Sequence, residues 1–297
     1  MGAAVSVPVS VVIPVYNRAA LLRRALDALA CQTWRDFEVI VVDDGSTEDI
    51  GAVVDSYRTR LALREVRIAN SGGPARPRNV GLAQARGEWV AWLDCDDWWD
   101  RERMACVAAG LADDVDVLYH PLRVRRAGAL KRRGERRARI GEAVRGEMLR
   151  HMLLFGNPLP NSAVVVRRSL LLQIGGIRES PDLIEDFDTW LRLAVAGARF
   201  RFLDRVLGTY WVGEDGISAV SRRQIEKYDN TVRSYFGELP LPERELALRC
   251  HHYHMGSMYQ KLPDGQAEAR RHLLAAVGLP TLPLRLKRLL RLARTAW

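Results

Sequence analysis

The sequence predicts an α/β protein with a mostly parallel central sheet, helices on both faces, and a helical C-terminal extension. Three observations predict it. Apolar runs alternate with helically spaced segments through the first hundred residues. Those runs are continuous rather than alternating, as in strands buried on both faces. From about residue 221 the pattern becomes mostly helical, cut into pieces by Pro240, Pro242, Pro263, Pro280 and Pro283.

Residues 9–15 form the first apolar run, closed by the turn Tyr16-Asn17-Arg18. Leu21, Leu22, Ala25, Leu26 and Leu29 then recur at helical spacing. Residues 37–42 make a second strand. A weaker helix over 49–60 leads to a third strand near 63–69. Gly72-Gly73-Pro74 is a loop, 76–86 reads as helix, and 89–93 as the fourth strand. This βαβαβαβ order requires crossover connections and hence parallel strands. Further on, 101–111 reads as helix, 115–119 as strand, and 121–141 as a hairpin or exposed loop. Residues 162–166 read as strand, 170–174 as a short helix stopped by Gly175-Gly176, 184–196 as a helix stopped by Gly197, and 200–210 as extended chain.

Composition narrows the function classes. The 297 residues are 48% hydrophobic and carry a net charge of +9, which suits anionic partners. Nine Arg or Lys and one acid, Glu135, lie between Arg123 and Arg139. That segment has few aromatics to stack on bases, so nucleic acid is not an expected partner. An anionic glycan, a lipid-linked acceptor or a membrane surface would suit it, as would a plain solvated loop. Cys31, Cys95, Cys106 and Cys250 form no CxxC pair and fit a reducing compartment. Residues 1–8 lack the pattern of a signal peptide, and no apolar run approaches a membrane span. The expectation is a cytoplasmic protein, soluble or peripheral at the inner face of the cell membrane. The tail 284–297 is basic and amphipathic; it reads either as a helix docked on its own domain or as one lying on an anionic membrane.

Three acidic clusters carry the candidate chemistry. Asp43-Asp44-Gly45-Ser46-Thr47 closes the second strand. It reads as a turn with a helix cap, or as carboxylates that accept the imide N–H of uracil or ribose hydroxyls. Asp94-Cys95-Asp96-Asp97 closes the fourth strand. Crowded carboxylates there repel unless a cation lies between them, and a hard divalent ion also takes phosphate oxygens. Asp97 and Asp100 have a second reading as dipole partners of the following helix. Glu185-Asp186-Phe187-Asp188 opens a helix, where acids complement the dipole or serve as a general base. Strand-end clusters of parallel neighbours point into one crevice. The GxGxxG dinucleotide fingerprint is missing after the first strand, which argues against a nicotinamide enzyme. His251, His252 and His254 suggest either a metal cluster or a packed helix face.

The ordered set Pro14-Val15-Tyr16-Asn17-Arg18, Asp43-Asp44-Gly45-Ser46-Thr47, Arg78-Asn79-Val80-Gly81, Leu93-Asp94-Cys95-Asp96-Asp97 and Glu185-Asp186, with Trp190-Leu191-Arg192 after it, resembles the inverting glycosyltransferases of family 2. The resemblance covers about residues 9–218. It implies a GT-A fold with three parts: a nucleotide-sugar-binding half over 1–115, an acceptor-side half over 116–220 and a helical extension over 221–297. It implies a nucleotide-sugar donor, of which a UDP-sugar is the expected kind, with Mn²⁺ or Mg²⁺. Pro14, Tyr16 and Asn17 would lie on the nucleotide side, Asp44 with Asp43 on the base, and Arg78 near the diphosphate. Asp94 would contact ribose or metal, and Asp96 would be the principal metal ligand. Asp186, with Glu185 as second choice, would deprotonate an acceptor hydroxyl on a surface polysaccharide or lipid-linked glycan. Three departures from the family pattern stand out. Pro77 interrupts the stretch before Arg78, Arg101 stands where proline is frequent, and residues 211–218 carry no histidine, which leaves a third metal ligand unassigned. The rival readings are a sugar nucleotidyltransferase and a non-catalytic polyanion- or membrane-binding module.

Overall fold

The computed structural model describes residues 8–126, 139–144, 146–213 and 220–295. Most of the basic segment 123–139, the run 214–218 and Trp297 therefore lie outside the described residues. The chain divides into two compact units. One comprises Met1–Ala143, Pro158–Glu179 and Arg192–Glu214; the other comprises Val144–Asn157, Ser180–Leu191 and Asp215–Trp297.

The strands, in chain order, are β1 (Val9–Val15), β2 (Phe37–Asp43), β3 (Leu63–Arg67), β4 (Trp89–Trp92), β5 (Trp98–Trp99), β6 (Val117–Tyr119), β7 (Leu122–Arg126), β8 (Arg139–Ile140), β9 (Val164–Arg167), β10 (Phe200–Phe202) and β11 (Gly208–Val212). The helices are α1 (Ala19–Ala30), α2 (Ile50–Asp55), α3 (Ala75–Gln84), α4 (Arg103–Gly110), α5 (Met148–Phe155), α6 (Arg168–Gln173), α7 (Glu185–Val195), α8 (Arg222–Arg233), α9 (Leu241–Tyr259), α10 (Gln266–Ala275) and α11 (Leu282–Ala293).

The first unit is built on a seven-stranded sheet of order β10-β6-β9-β4-β1-β2-β3. β1 pairs in parallel with both β2 and β4, β2 with β3, and β10 with β6. β9 is antiparallel to both neighbours, so six strands run one way and β9 the other. All seven residues of β1 and of β2 are buried, as their continuous apolar runs require. Alternation then sorts them by face. Val9, Val11, Ile13 and Val15 join a core with Leu22, Leu26 and Leu29 of α1, Val53 and Val54 of α2, and Met104 and Val107 of α4. Val12 faces the other way, toward α3. Gly81 of α3 has no side chain because a Cβ there would stand 2.3 Å from Val12 Cγ1.

Sequence reasoning did not foresee a second sheet. β5, β11, β7 and β8 form four strands in that order, with β11 and β7 parallel and the other two pairs antiparallel. The extended run 200–210 is thus two strands in two sheets. The strand expected from residue 162 instead begins as a 3-10 turn over Asn161–Ala163. A two-residue strand such as β5 is too short for periodicity to reveal.

The second unit is helical among its described residues. Ser221 caps α8 by accepting the Gln224 N–H, and Thr281 caps α11 by accepting the Leu284 N–H. α9 and α10 approach closely at Gly256, where a Cβ would stand 2.7 Å from Leu273 Cγ. Ile225, Met255 and Leu262 form a small core with Tyr228 and Tyr259 against it. The histidines of α9 take separate partners. His251 Nε2 lies 2.6 Å from Asp229, His252 Nδ1 lies 3.0 Å from His272 Nδ1, and His254 Nε2 lies 3.0 Å from the Leu154 carbonyl.

Two predictions follow from this packing. Gly81→Ala should destabilise the protein by about 2 kcal/mol through overpacking. Combining it with Val12→Ala should cost less than the two single changes summed, because alanine removes the clashing γ-carbons; urea titration measures both. The second concerns acid. Burial, then the neighbouring His252, pulls His272 down to about 4. Burial, then Arg103, pulls His120 down to about 3. The unfolded chain protonates these histidines near pH 6.5 while the folded chain does not, so stability is complete above that pH and declines as pH falls toward 4. The urea midpoint should drop across this window, and less steeply in His272→Gln.

Candidate active site

The strand order reverses beside β1. The chain moves outward from β1 to β2 to β3, then α3 returns it to β4 on the opposite side of β1. Ligand crevices in open α/β sheets form at such a switch, beyond the carboxyl ends of the strands. The registered β1–β4 pairs end at Val12 opposite Trp92, and one last bond joins the Leu93 N–H to the Val12 carbonyl. β1 and β2 stay paired to Val15 opposite Asp43. Alternation turns the backbone of Pro14 toward the side β4 has already left. Proline's missing N–H therefore costs no ladder bond there.

The first acidic cluster is tied down by its own loops. Asp43 is fully buried; its Oδ1 accepts the Ser46 N–H at 2.9 Å and its Oδ2 accepts Arg67 Nη1 at 2.8 Å. The Asp44 N–H reaches back to the Val15 carbonyl, while its carboxylate accepts the Ser71 N–H at 2.9 Å and the Ser71 hydroxyl at 3.0 Å. Gly45 makes this turn at φ +76°, and a Cβ on it would stand 2.7 Å from the Asn70 nitrogen. Asn17 sits at φ +48°. Its Oδ1 accepts the N–H groups of Thr47 at 2.7 Å and Glu48 at 3.3 Å, and its own N–H donates to Ser46 Oγ at 2.9 Å. Asn17 thereby stitches the turn after β1 to the turn after β2. Tyr16 beside it is 48% exposed, with its ring available to a ligand face.

The second cluster is held by three arginines and an asparagine. Arg78 of α3 is 4% exposed and donates to Asp94 Oδ1 at 2.7 Å. Asn161 donates to the same oxygen at 2.9 Å, and Ser162 Oγ accepts the Asp94 N–H. Arg18 Nη1 lies 2.8 Å from Asp96 Oδ2, and Arg24 Nη2 lies 2.5 Å from the Asp96 carbonyl. Burial, then the charge of Asp94, raises the Asp96 carboxyl above its ordinary range despite Arg18. Asp97 is 1% exposed; burial, then Asp94, raises it well above that range. Its Oδ1 accepts the Trp211 N–H at 2.8 Å. Asp100 stands apart from this group in a bidentate pair with Arg123, at 2.6 and 2.9 Å. The dipole reading for Asp100 is thus joined by an ion pair to β7.

Among the described residues no group of three or more His, Cys, Asp and Glu is placed to hold a metal ion. Asp94 and Asp96 nonetheless offer the oxygen donors a hard divalent cation takes, and their mutual repulsion is what such an ion relieves. One or two carboxylates completed by phosphate oxygens and water suit Mg²⁺ or Mn²⁺.

Several site residues escaped sequence reasoning. Arg24 lies 4.1 Å from the Trp98 ring centroid and 4.9 Å from that of Trp211. Six residues, about 1.7 helical turns, separate it from Arg18, so helical spacing gave no signal that the two meet Asp96 together. Asn161 and Ser162 had none, because they follow Asp94 by more than sixty residues and arrive through the pairing of β9 with β4.

The third cluster opens α7 and belongs, at residues 185–191, to the second unit. Its three acids separate by environment. Asp188 is fully buried and accepts the Tyr235 hydroxyl at 2.6 Å. Glu185 and Asp186 are half-buried in the first turn.

A family model described as glycosyl transferase family 2 matches residues 10–171. The poly(ribitol-phosphate) beta-N-acetylglucosaminyltransferase TarS of Staphylococcus aureus is 43% identical over 103 residues, 34% of this chain and 18% of that protein. An uncharacterized glycosyltransferase of Haemophilus influenzae is 28% identical over 188 residues, 62% of this chain and 61% of that one. The matched stretch thus spans less than two thirds of either relative. Among solved structures, residues 1–349 of S. aureus TarS in complex with UDP-GlcNAc align with a TM-score of 0.63 at 22% identity, over 97% of this chain and 90% of that one. The mannosyltransferase PcManGT from Pyrobaculum calidifontis, in complex with GDP-Man and Mn²⁺, aligns with a TM-score of 0.61 at 22% identity, over 97% and 80%. At these identities the likeness to solved structures is one of fold.

The turn after β1 yields a test. Asn17→Ala should cost about 1–2 kcal/mol, since it removes the Oδ1 acceptor of two loop N–H groups and alanine tolerates positive φ less well than asparagine. Asn17→Gly should cost less, because glycine tolerates the backbone and loses only the cap. Denaturant titration of both variants distinguishes the two contributions.

Proposed function

The chain belongs to glycosyl transferase family 2, and from that premise we propose that it moves a sugar from a nucleotide-sugar, of which a UDP-sugar is the favoured donor, to a hydroxyl acceptor with inversion. The observation that carries this reading is the acidic turn at the β1/β4 switch, where the half-buried Asp94 and Asp96 pair with Arg78 and Arg18 and the charge of Asp94 raises the Asp96 carboxyl. An arrangement of two close carboxylates flanked by guanidinium groups suits a diphosphate bound with a divalent cation.

In this reading residues 1–115 form the donor half, 116–220 the acceptor-side half and 221–297 a helical extension. Pro14, Tyr16 and Asn17 line the base side, and Asp44, with Asp43, receives the base N–H groups. For that, Asp44 exchanges or shares its bonds to Ser71. Arg78 meets the diphosphate or holds Asp94 for the ribose. Asp96, with Asp94, holds Mn²⁺ or Mg²⁺; when bound, such an ion offsets charge on the departing diphosphate. Asp186 takes the proton of the acceptor hydroxyl as its oxygen attacks the anomeric carbon from the face opposite the diphosphate. The displacement needs no nucleophile from the protein.

TarS and a Bacillus spizizenii relative, 40% identical over 94 residues, are both named for transfer to poly(ribitol-phosphate). For this chain we favour an acceptor of that broad kind, a surface polysaccharide or lipid-linked glycan met in the cytoplasm. The net charge of +9 suits a phosphate-bearing acceptor chain.

UDP, UDP-GlcNAc and GDP-Man, each with and without Mn²⁺, should raise the melting temperature selectively, and the donor is the compound with the largest rise. Asp186→Asn should keep that rise while transfer falls by about 10²–10⁴-fold, the usual share of a general base. Transfer at the wild-type rate in Asp186→Asn rejects the base assignment. Asp96→Ala should lose the Mn²⁺-dependent part of the thermal shift; if that part persists, the metal assignment fails.

A further inference from the structure

α11 turns its apolar side outward. Leu282, Leu286, Leu289 and Leu290 are 66, 52, 56 and 65% exposed. At 3.6 residues per turn they and Ala293 fall within an arc of roughly 100°. The opposite side carries the attachment. Arg288 Nε donates to the Leu273 carbonyl at 2.7 Å. Arg291 Nη1 donates to Gln260 Oε1 at 3.0 Å, and Gln260 Nε2 donates to the Arg291 carbonyl at 2.7 Å. A helix held only for packing would show the reverse, with leucines against its neighbours and arginines in water. Here the basic side is docked and the leucines have no cover among the described residues. Leu274 and Val277, at the end of α10, are 53 and 57% exposed. Arg288 also reaches the Leu274 carbonyl.

Cations border the leucine arc on both sides. On the same wheel Lys287 and Arg294 flank one edge and Arg285 the other. All three residues are exposed. Residues 281–297 contain five basic residues and no acid. Two copies of this face meeting about a two-fold axis would bring like charges together, which disfavours a second chain as the cover. A spanning role is excluded by length, since twelve residues rise about 18 Å against a hydrocarbon core of about 30 Å. No described helix is long and apolar enough to cross a membrane.

We propose that the outward face of α11 lies on an anionic lipid surface, with Leu282, Leu286, Leu289 and Leu290 in the acyl boundary and Arg285, Lys287 and Arg294 at the headgroups. Arg288 and Arg291 stay bonded to α10 and to Gln260, and Arg285 keeps its Nε bond to the Leu279 carbonyl at 2.6 Å, so docking requires no unfolding. This surface stands whether or not the donor reading holds.

Vesicle flotation of the full chain tests it. The protein should float with phosphatidylcholine vesicles containing phosphatidylglycerol, should stay behind with pure phosphatidylcholine, and should release as salt rises. Lys287→Ala/Arg294→Ala should weaken binding about 25-fold, at about fivefold per surface charge. Leu286→Glu/Leu290→Glu should abolish it, with the milder Leu286→Ser/Leu290→Ser as the substitute should the glutamates disturb folding. The melting temperature without ligand, unchanged in each variant, reports an intact fold and keeps failure here distinct from failure of the donor reading. Equal flotation on both vesicle types, flotation on neither, or wild-type binding by the leucine variants overturns the proposal. So does a dimer in sedimentation velocity that the leucine variants dissociate, because a second copy would then own the face.

Discussion

The parting of β4 from β1 after Val12 is the constraint on which the candidate site depends. Up to that residue β1 is held on both sides by parallel ladders, and its side chains are wholly buried. Beyond it β1 keeps only β2, and the chain after β4 turns away into the acidic loop. That divergence opens the crevice, lets Pro14 stand in a strand without loss of a bond, and directs Asp94 and Asp96 toward the turn after β1. The close approach of α3 at Gly81 belongs to the same constraint. α3 must lie tightly on β1 to carry Arg78 to Asp94.

Charge is concentrated at this point, and arginine manages it. Asp43 is met by Arg67, Asp94 by Arg78, Asp96 by Arg18 and Asp100 by Arg123. Each arginine arrives from a different element, so the acidic turn is fixed in place by long-range pairs rather than by its own local structure. The same crowding leaves Asp96 and Asp97 with raised proton affinity. A site in this state gains from any added cation, and that is the electrostatic basis of the proposal that it holds a divalent ion.

The central sheet and its flanking helices were legible because β1, β2 and β4 are continuous apolar runs and α1 repeats its leucines at helical spacing. The second sheet was not legible. β5 is two residues, and β7 and β11 read as half-buried or basic chain, so nothing local announces that they pair. The acidic clusters were visible as residues. Their bonding was not, since Asp43 and Asp44 are held by Arg67 at the end of β3 and Ser71 in the loop after it, and Asp94 by Asn161 in the 3-10 turn before β9. Asp188 shows the same division: the sequence offered three acids at the start of α7, and only packing shows that Asp188 is the one bound to Tyr235.

The sequence by itself determined which segments are strands and helices near β1, where the acidic turns fall, and that the tail 284–297 is basic and amphipathic. These are properties of neighbouring residues, and periodicity records them. Only the tertiary structure decided which oxygen meets which arginine, that Arg24 lies over the rings of Trp98 and Trp211, and which side of α11 faces outward. Amphipathic spacing defines two sides of a helix but not their direction. That direction was set by free carbonyls on α10 and the chain after it, which accept arginine N–H groups and leave the leucines facing away.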